Sequence, residues 1–518
     1  MAVLNRRHPP LGLLAAAAIG ALLVLVPLVY TVVQASGVGL AAGAQLLFRP
    51  LVGELLVNTL TLVAATTVAC AVIGTTTAWL VERTRLPGRG IWAVLAAVPL
   101  GIPAFVTSFA WISLSADLQD FAGALLVVTC SYFPLIYLPV AAALRGMDPA
   151  LEETARSLGE SAWGCFFRVV LPQLRPALLG GMLLVALNTL VEFGAFALLR
   201  FRTFTTEIYA EYRVGFDGPQ ASLLAVVLIL LCLVCLFAEM KVRGSRRYER
   251  VARGTGRAAT LLELGWTRWP VLAGLATLAV ATLGVPLGMI LYWMTQHGSD
   301  AISPAAVTPA RLISATTASI GFGLAAAALT LVLALPLGFL ATRYEGRVIN
   351  LLERAAYLAQ GVPGIVVALA LVSLTVQALQ PLYQSAALLV IAYAILFLPL
   401  ALVGVRAALV QAQRRLEEAG RALGLSWRAV VWRVLLPLAG PGLGAAAAMV
   451  FVSAVTELTA TLLLSPIGTR TLATQVWANT STYAFAAAAP YAALMALLSL
   501  LSTWLLARRF GRNVLSNT

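Results

Sequence analysis

Glu192 and Glu457 each interrupt a long apolar run, and the acidic pairs Glu152-Glu153 and Glu417-Glu418 open two copies of one short pattern. A carboxylate inside a bilayer costs about 2.5 to 3.5 kcal/mol, so it faces a cavity or a partner. Its hard oxygen donors suit a hard cation moving past, which makes Glu192 and Glu457 candidate pathway residues. The other reading is that each is protonated or hydrogen-bonded and ties helices together. The paired acids sit where they favour the positive end of a helix dipole and can meet the basic groups of another protein.

The remaining reactive side chains form no centre. The five cysteines, Cys70, Cys130, Cys165, Cys232 and Cys235, suggest no disulfide framework, and the Cys232/Cys235 pair lies in an apolar helix, where packing outweighs redox or metal chemistry. His8 and His297 are far apart in sequence, so neither a metal cluster nor a catalytic set is visible. Lys241, followed by Val-Arg-Gly, is the only lysine, which excludes the lysine-bearing loop that P-loop ATPases need.

The elements that must hold these residues are membrane spans. Of the 518 residues, 61% are hydrophobic and 11% charged, against about a quarter charged in an ordinary soluble domain. The apolar runs approach the ~20 residues that cross a bilayer. Twelve spans are expected at roughly 11–33, 55–81, 91–114, 121–144, 176–198, 221–240, 270–293, 313–342, 356–378, 385–405, 441–464 and 487–507. The first is too long for a signal-peptide core and lacks a clear cleavage site, so it reads as a transmembrane helix. With the N-terminus inside, 29 of the 35 Lys and Arg fall on the cytoplasmic face, and the net charge of +14 follows from the positive-inside rule with no nucleic acid. Both termini are then cytoplasmic, and lipid is the surrounding partner.

The chain is also a duplication. Leu151-Glu152-Glu153-Thr154-Ala155-Arg156-Ser157-Leu158-Gly159 recurs as Leu416-Glu417-Glu418-Ala419-Gly420-Arg421-Ala422-Leu423-Gly424, and the Leu-Pro pairs ending at Pro172 and Pro437 keep the same separation of 265 residues. Upstream, Gly101-Ile102-Pro103 answers Gly361-Val362-Pro363 at 260. The expected organisation is a six-span domain over 1–241, a basic linker over 242–268 and a second six-span domain over 269–518. An even number of spans puts both repeated loops on one face, so the repeat is parallel.

Asp148-Pro149 is a good helix start and Gly159 a good stop, which predicts a short amphipathic helix outside the membrane, with Leu151, Ala155 and Leu158 on one face. Leu416, Gly420 and Leu423 repeat that face. Ser161 and Ser426 are placed to cap the helix that follows. Small residues at Ala155 and Gly420 are expected to let another protein surface approach, which makes the helix a docking knob.

This loop resembles that of the permease subunits of binding-protein-dependent ABC importers, marked by Glu-Ala-Ala, three residues, Gly, nine residues, Ile-x-Leu-Pro. Glu153, Gly159 and Pro172 fit in the first half, and Glu418, Gly424 and Pro437 in the second; the departures are Thr154, Gly420, Val169 and Val434. The resemblance implies an all-α membrane protein of two parallel six-helix permease repeats, in a bacterial inner membrane. It implies two copies of an ABC ATPase subunit that bind ATP and Mg, docked on the repeated helices, with no cofactor on this chain. It also implies a periplasmic or lipid-anchored substrate-binding protein outside.

The twelve-span layout is most similar to the ferric iron permeases, through Thr203-Phe204-Thr205-Thr206-Glu207-Ile208-Tyr209 and Thr471-Leu472-Ala473-Thr474-Gln475-Val476-Trp477. Thiamine, phosphonate and polyamine permeases are the alternatives. Glu207, Glu211 and Asp217, in the outer loop with Arg200, Arg202 and Arg213, are candidates for meeting the binding protein. A proton-coupled carrier also has twelve spans in two halves, but has no reason to carry the repeated helix.

Overall fold

The computed structural model describes residues 9–148, 150–243, 261–296, 307–412 and 414–515. Pro149, His8, His297 and residues 244–260 of the expected linker lie outside the described residues. With no water in the bilayer core, each backbone N–H and C=O needs an internal partner, and the apolar runs close into helices. In chain order these are α1 Leu11–Ser36, α2 Pro50–Arg83, the pair α3 Arg89–Gly101 and α4 Ala104–Leu114, α5 Phe121–Arg145, the short α6 Ala150–Ser157, α7 Phe166–Val191, α8 Phe204–Arg213 and α9 Gly218–Arg243. The second repeat supplies α10 Gly265–Thr295, α11 Pro309–Arg343, the pair α12 Arg347–Gly361 and α13 Gly364–Ala378, α14 Ala386–Gln411, the short α15 Arg414–Ala422, α16 Trp427–Thr456, α17 Leu472–Ser481 and α18 Phe485–Leu515. Ten helices among the described residues are long and apolar enough to cross a membrane, or twelve if each bent pair is one span.

The spans expected at 91–114 and 356–378 are not straight. Each is two helices, bent by 97° between α3 and α4 and by 105° between α12 and α13. Pro103 and Pro363 lack the N–H that would continue the ladder, and they force Ile102 and Val362 into extended backbone at φ −104. Proline leaves a second mark. The turns Phe166–Val170, Val280–Gly284 and Val431–Leu435 are π-helical, and each precedes a proline by one residue: Pro172, Pro286 and Pro437. Widening the turn accommodates a ring that would otherwise press on the carbonyl four residues back.

The chain packs as two compact units, Met1–Leu47 with Ile208–Ile229 and His297–Thr518, and Phe48–Glu207 with Leu230–Gln296. Within the first, α1 lies against α11, α12 and α13, and Gly20 brings its backbone so close that a Cβ there would stand 3.3 Å from the Leu333 carbonyl oxygen. Within the second, α10 lies against α4. Sequence repeat and packing unit thus have different boundaries, because the opening helix of each repeat packs with the body of the other.

Close approach through small residues is how helices associate where lipid removes the hydrophobic drive. In the second unit, Ile136 of α5 is held between Gly74 of α2 and Gly181 of α7; a Cβ on Gly74 would lie 3.0 Å from Ile136 Cβ, and one on Gly181 2.9 Å from Ile136 Cα. Gly181→Leu is therefore expected to cost about 1 to 3 kcal/mol. Thermal unfolding of the purified protein checks this, with Gly53→Leu, whose surroundings are open, as the variant whose Tm stays put.

Candidate functional site

The repeated loops close in the same way. Asp148 Oδ1 accepts from the Ala150 N–H at 3.0 Å and starts α6. The helix ends where Gly159 adopts φ +89, the Gly159 N–H donates to Arg156 O at 3.0 Å, and the Glu160 N–H reaches back to Ala155 O at 3.1 Å. In the second loop Gly424 takes φ +85, its N–H donates to Arg421 O at 3.0 Å, and Leu425 N–H to Gly420 O at 3.1 Å. This is the Schellman closure, and only glycine adopts the left-handed turn without strain. Ser161 and Ser426 then cap the returning helix through the Gly164 and Ala429 N–H groups. That helix does not stop at Leu-Pro; it runs through Pro172 and Pro437 on the π turns and becomes α7 or α16.

Ala155 and Gly420 do not face a partner, as the small-residue argument expected. Both are buried, and a Cβ on Gly420 would meet Leu425 and, on its own returning helix, Val430 and Val434 at 3.5 to 3.7 Å. Their size serves packing within the loop. Leu151 and Glu153 on α6 with Leu158 just past its end, and Leu416 and Glu418 on α15 with Leu423 just past its end, are all exposed.

The acidic pairs divide their labour. Glu153 and Glu418 point outward, whereas Glu152 and Glu417 turn inward onto arginines that the spacing argument passed over. Glu417 Oε1 accepts from Arg343 Nε at 3.0 Å and Nη2 at 2.5 Å; Glu152 Oε1 lies 2.9 Å from Arg83 Nη2. One signal was in the sequence: Arg83 and Arg343 are 260 residues apart, the separation of the two Gly-x-Pro bends.

Glu192 and Glu457 are not in the middle of continuous spans. Each sits at a break, just past the ends of α7 and α16, with extended backbone at ψ 127 and ψ 119. A break leaves free N–H groups on the next turn, and the carboxylates take them up: Glu192 Oε1 accepts from Ala195 N–H at 2.9 Å, and Glu457 Oε1 from Ala460 N–H at 3.1 Å. Tyr132 OH donates to Glu192 Oε2 at 2.6 Å. In the other unit, Tyr393 OH lies 2.5 Å from the Thr461 hydroxyl, which in turn donates to the Glu457 carbonyl. Glu457 also lies against the start of α13, where a Cβ on Gly364 would come within 2.9 Å of its Oε1.

The two stretches beginning at Thr203 and Thr471 become α8 and α17. In each, the N–H of the first threonine donates to a threonine hydroxyl three residues on, Thr206 or Thr474. The next N–H, of Phe204 or Leu472, donates to a hydroxyl on the long helix, Thr59 of α2 or Ser319 of α11. Beyond α8, Asp217 accepts from the Gln220 N–H and side-chain amide at 2.9 and 2.7 Å, and so caps α9. Glu207 and Glu211 on α8 are half-buried.

Two anchored loops with matching closures and two capped span breaks, on a bundle of this many apolar helices, define a membrane transport permease made of two related halves. The chain belongs to the family described as binding-protein-dependent transport system inner membrane component, which matches residues 71–242 and 334–511. It is therefore an inner membrane component of such a system. It is 37% identical over 501 residues, 96% of this chain and 98% of the relative, to the Fe(3+)-transport system permease protein FbpB 2 of Haemophilus influenzae. It is 28% identical to two Escherichia coli proteins: the sulfate transport system permease protein CysT, over 44% of this chain and 90% of the relative, and the molybdenum transport system permease protein ModB, over 34% and 86%.

The left-handed closures give a direct prediction. Gly424→Ala is expected to cost about 1 to 2 kcal/mol locally. Hydrogen exchange should then speed up in the amides of 414–435 while those of α11 and α14 keep their protection.

Proposed function

We propose that this permease carries ferric iron, delivered by a substrate-binding protein, and is driven by ATP hydrolysis on two copies of a separate ATPase subunit. The observation that supports the cargo is the end-to-end likeness to a permease named for Fe(3+) transport, at 37% identity over 96% of the chain, where the sulfate and molybdenum relatives share 28% over less than half of it. Membership of a binding-protein-dependent family leaves no place for the proton-coupled carrier, and no observation favours thiamine, a phosphonate or a polyamine.

In this reading α6 and α15 dock one to each ATPase subunit, both termini are cytoplasmic, and ATP and Mg stay on the partner. The exposed Glu153 and Glu418 meet basic groups, and Leu158 and Leu423, 80% and 85% exposed, supply the apolar contact. Gly159, Gly424, Pro172 and Pro437 hold the shape of that surface. Glu192 and Glu457 cap their breaks and present negative charge to a passing cation. The binding protein meets the opposite face, with Glu207 and Glu211 contributing and Asp217 tied to its own helix cap.

The test is ATP hydrolysis by the complex in nanodiscs with its ATPase and binding protein. Iron-loaded binding protein should stimulate the wild type, and Glu153→Ala with Glu418→Ala should lose about tenfold of that stimulation, since one lost ion pair of about 1.4 kcal/mol is already a factor of ten. Stimulation by a binding protein loaded with another substrate would remove iron and keep the importer. A chain that binds no ATPase would remove the docking role.

A further inference from the structure

Each short helix is tied to the body of its unit at a buried arginine. Arg343 is the last residue of α11, the longest helix described at 35 residues, and Arg83 the last of α2, at 34. The Arg343 guanidinium gathers three elements: its own helix, α15 through Glu417, and the end of α14 through the carbonyls of Leu409 and Ala412 at 3.2 and 2.8 Å. Arg83 repeats the plan with Glu152 of α6 and the carbonyl of Leu144 on α5 at 3.2 Å. The segment leading into α10 joins the same point, since Leu262 exchanges backbone hydrogen bonds with Arg83 and Arg85, both at 2.9 Å. Apart from these ties, α6 and α15 pack on their own returning helices.

We propose that Arg83 and Arg343 are positioning residues that carry displacement of the short helices into α2 and α11. This rests on the proposed docking of α6 and α15 on the ATPase. A rigid fork with five donors fits the task, because it fixes direction as well as distance, which a lysine ammonium does not. With both side chains of the second pair 9% exposed, solvent does not screen it, and a push on α15 reaches the end of a rod about 50 Å long at 1.5 Å per residue. The two ties are unequal. Arg343 donates two N–H groups to one carboxylate oxygen, whereas the Arg83 contact lacks hydrogen-bond alignment and leaves its Nε without a partner. Transmission through α15 is the stiffer of the two.

The test places a reporter thiol at the far end of each rod, Ser314→Cys on α11 or Gly53→Cys on α2, both exposed positions, in the full chain reconstituted with its ATPase. Labelling by an impermeant maleimide is read with and without ATP plus vanadate, so no cargo is needed. Co-purification of the ATPase is scored first; a chain with native arginines that retains none overturns the docking reading, and this proposal with it. Where the ATPase is retained, Arg343→Gln should keep it bound and reduce the nucleotide-dependent change in labelling of the α11 reporter by about tenfold, within the usual range of coupling factors. Arg343→Lys should regain part of the change, and Arg83→Gln should have a smaller effect on the α2 reporter. If Arg343→Gln assembles and shows the full change, or lowers only the Tm, the pair merely stabilises the fold and the proposal is wrong.

Discussion

No backbone polar group can be left unpaired where the solvent is hydrocarbon, and the breaks within the described spans answer to that constraint. The turns that restart after α7 and α16 begin with free N–H groups, and the glutamate at each break accepts one of them. The starts of α8 and α17 need acceptors for their first amides, and paired threonines with a hydroxyl from the neighbouring long helix provide them. The prolines of the bent pairs remove a donor at the break itself, so the turn there needs one partner fewer.

The same constraint explains why acids are tolerated so deep in apolar sequence. Glu457 faces the start of the turn at Thr459 and lies against the start of α13, two helix N-termini whose partial positive charge favours a carboxylate. Holding helices and meeting a cation are therefore compatible duties: the oxygens that close the break are the oxygens that carry the charge. The loops outside the spans follow a different rule. Their backbone is closed by glycine and serine caps, and their one buried charge is paired to the end of a span rather than left to water.

Much of this was legible from residues alone. Long apolar runs gave the spans, and a fixed spacing gave the repeat with its Gly159 and Gly424 closures, because each depends on local chemistry. What depends on where a side chain points was not legible. Glu152 and Glu153 are adjacent and chemically identical, and only the helical rotation between them sends one onto Arg83 and the other outward. Ala155 and Gly420 read as openings for a partner, but both are buried, Gly420 against Leu425, Val430 and Val434. The two bends were hidden inside spans of ordinary length, although Gly101-Ile102-Pro103 and Gly361-Val362-Pro363 carried the signal. The exchange of opening helices between units has no local signature.

The two repeats have not diverged evenly, and the pattern bears on what each part meets. The loop closures match to within about 0.1 Å in hydrogen-bond length and a few degrees in φ at Gly159 and Gly424. At the span breaks the repeats differ: Tyr132, which bonds the Glu192 carboxylate, answers Ala392, Tyr393, which bonds Thr461, answers Phe133, and Ala104 stands where the second repeat has Gly364 to make room for Glu457. Two copies of one ATPase would hold both loops to one shape, since each must fit the same surface. A single cargo and a single binding protein would present no such twofold repetition, and parts that met them would be free to specialise. The unequal arginine ties fall between these regimes, joining loops whose closures match to span ends whose contacts do not.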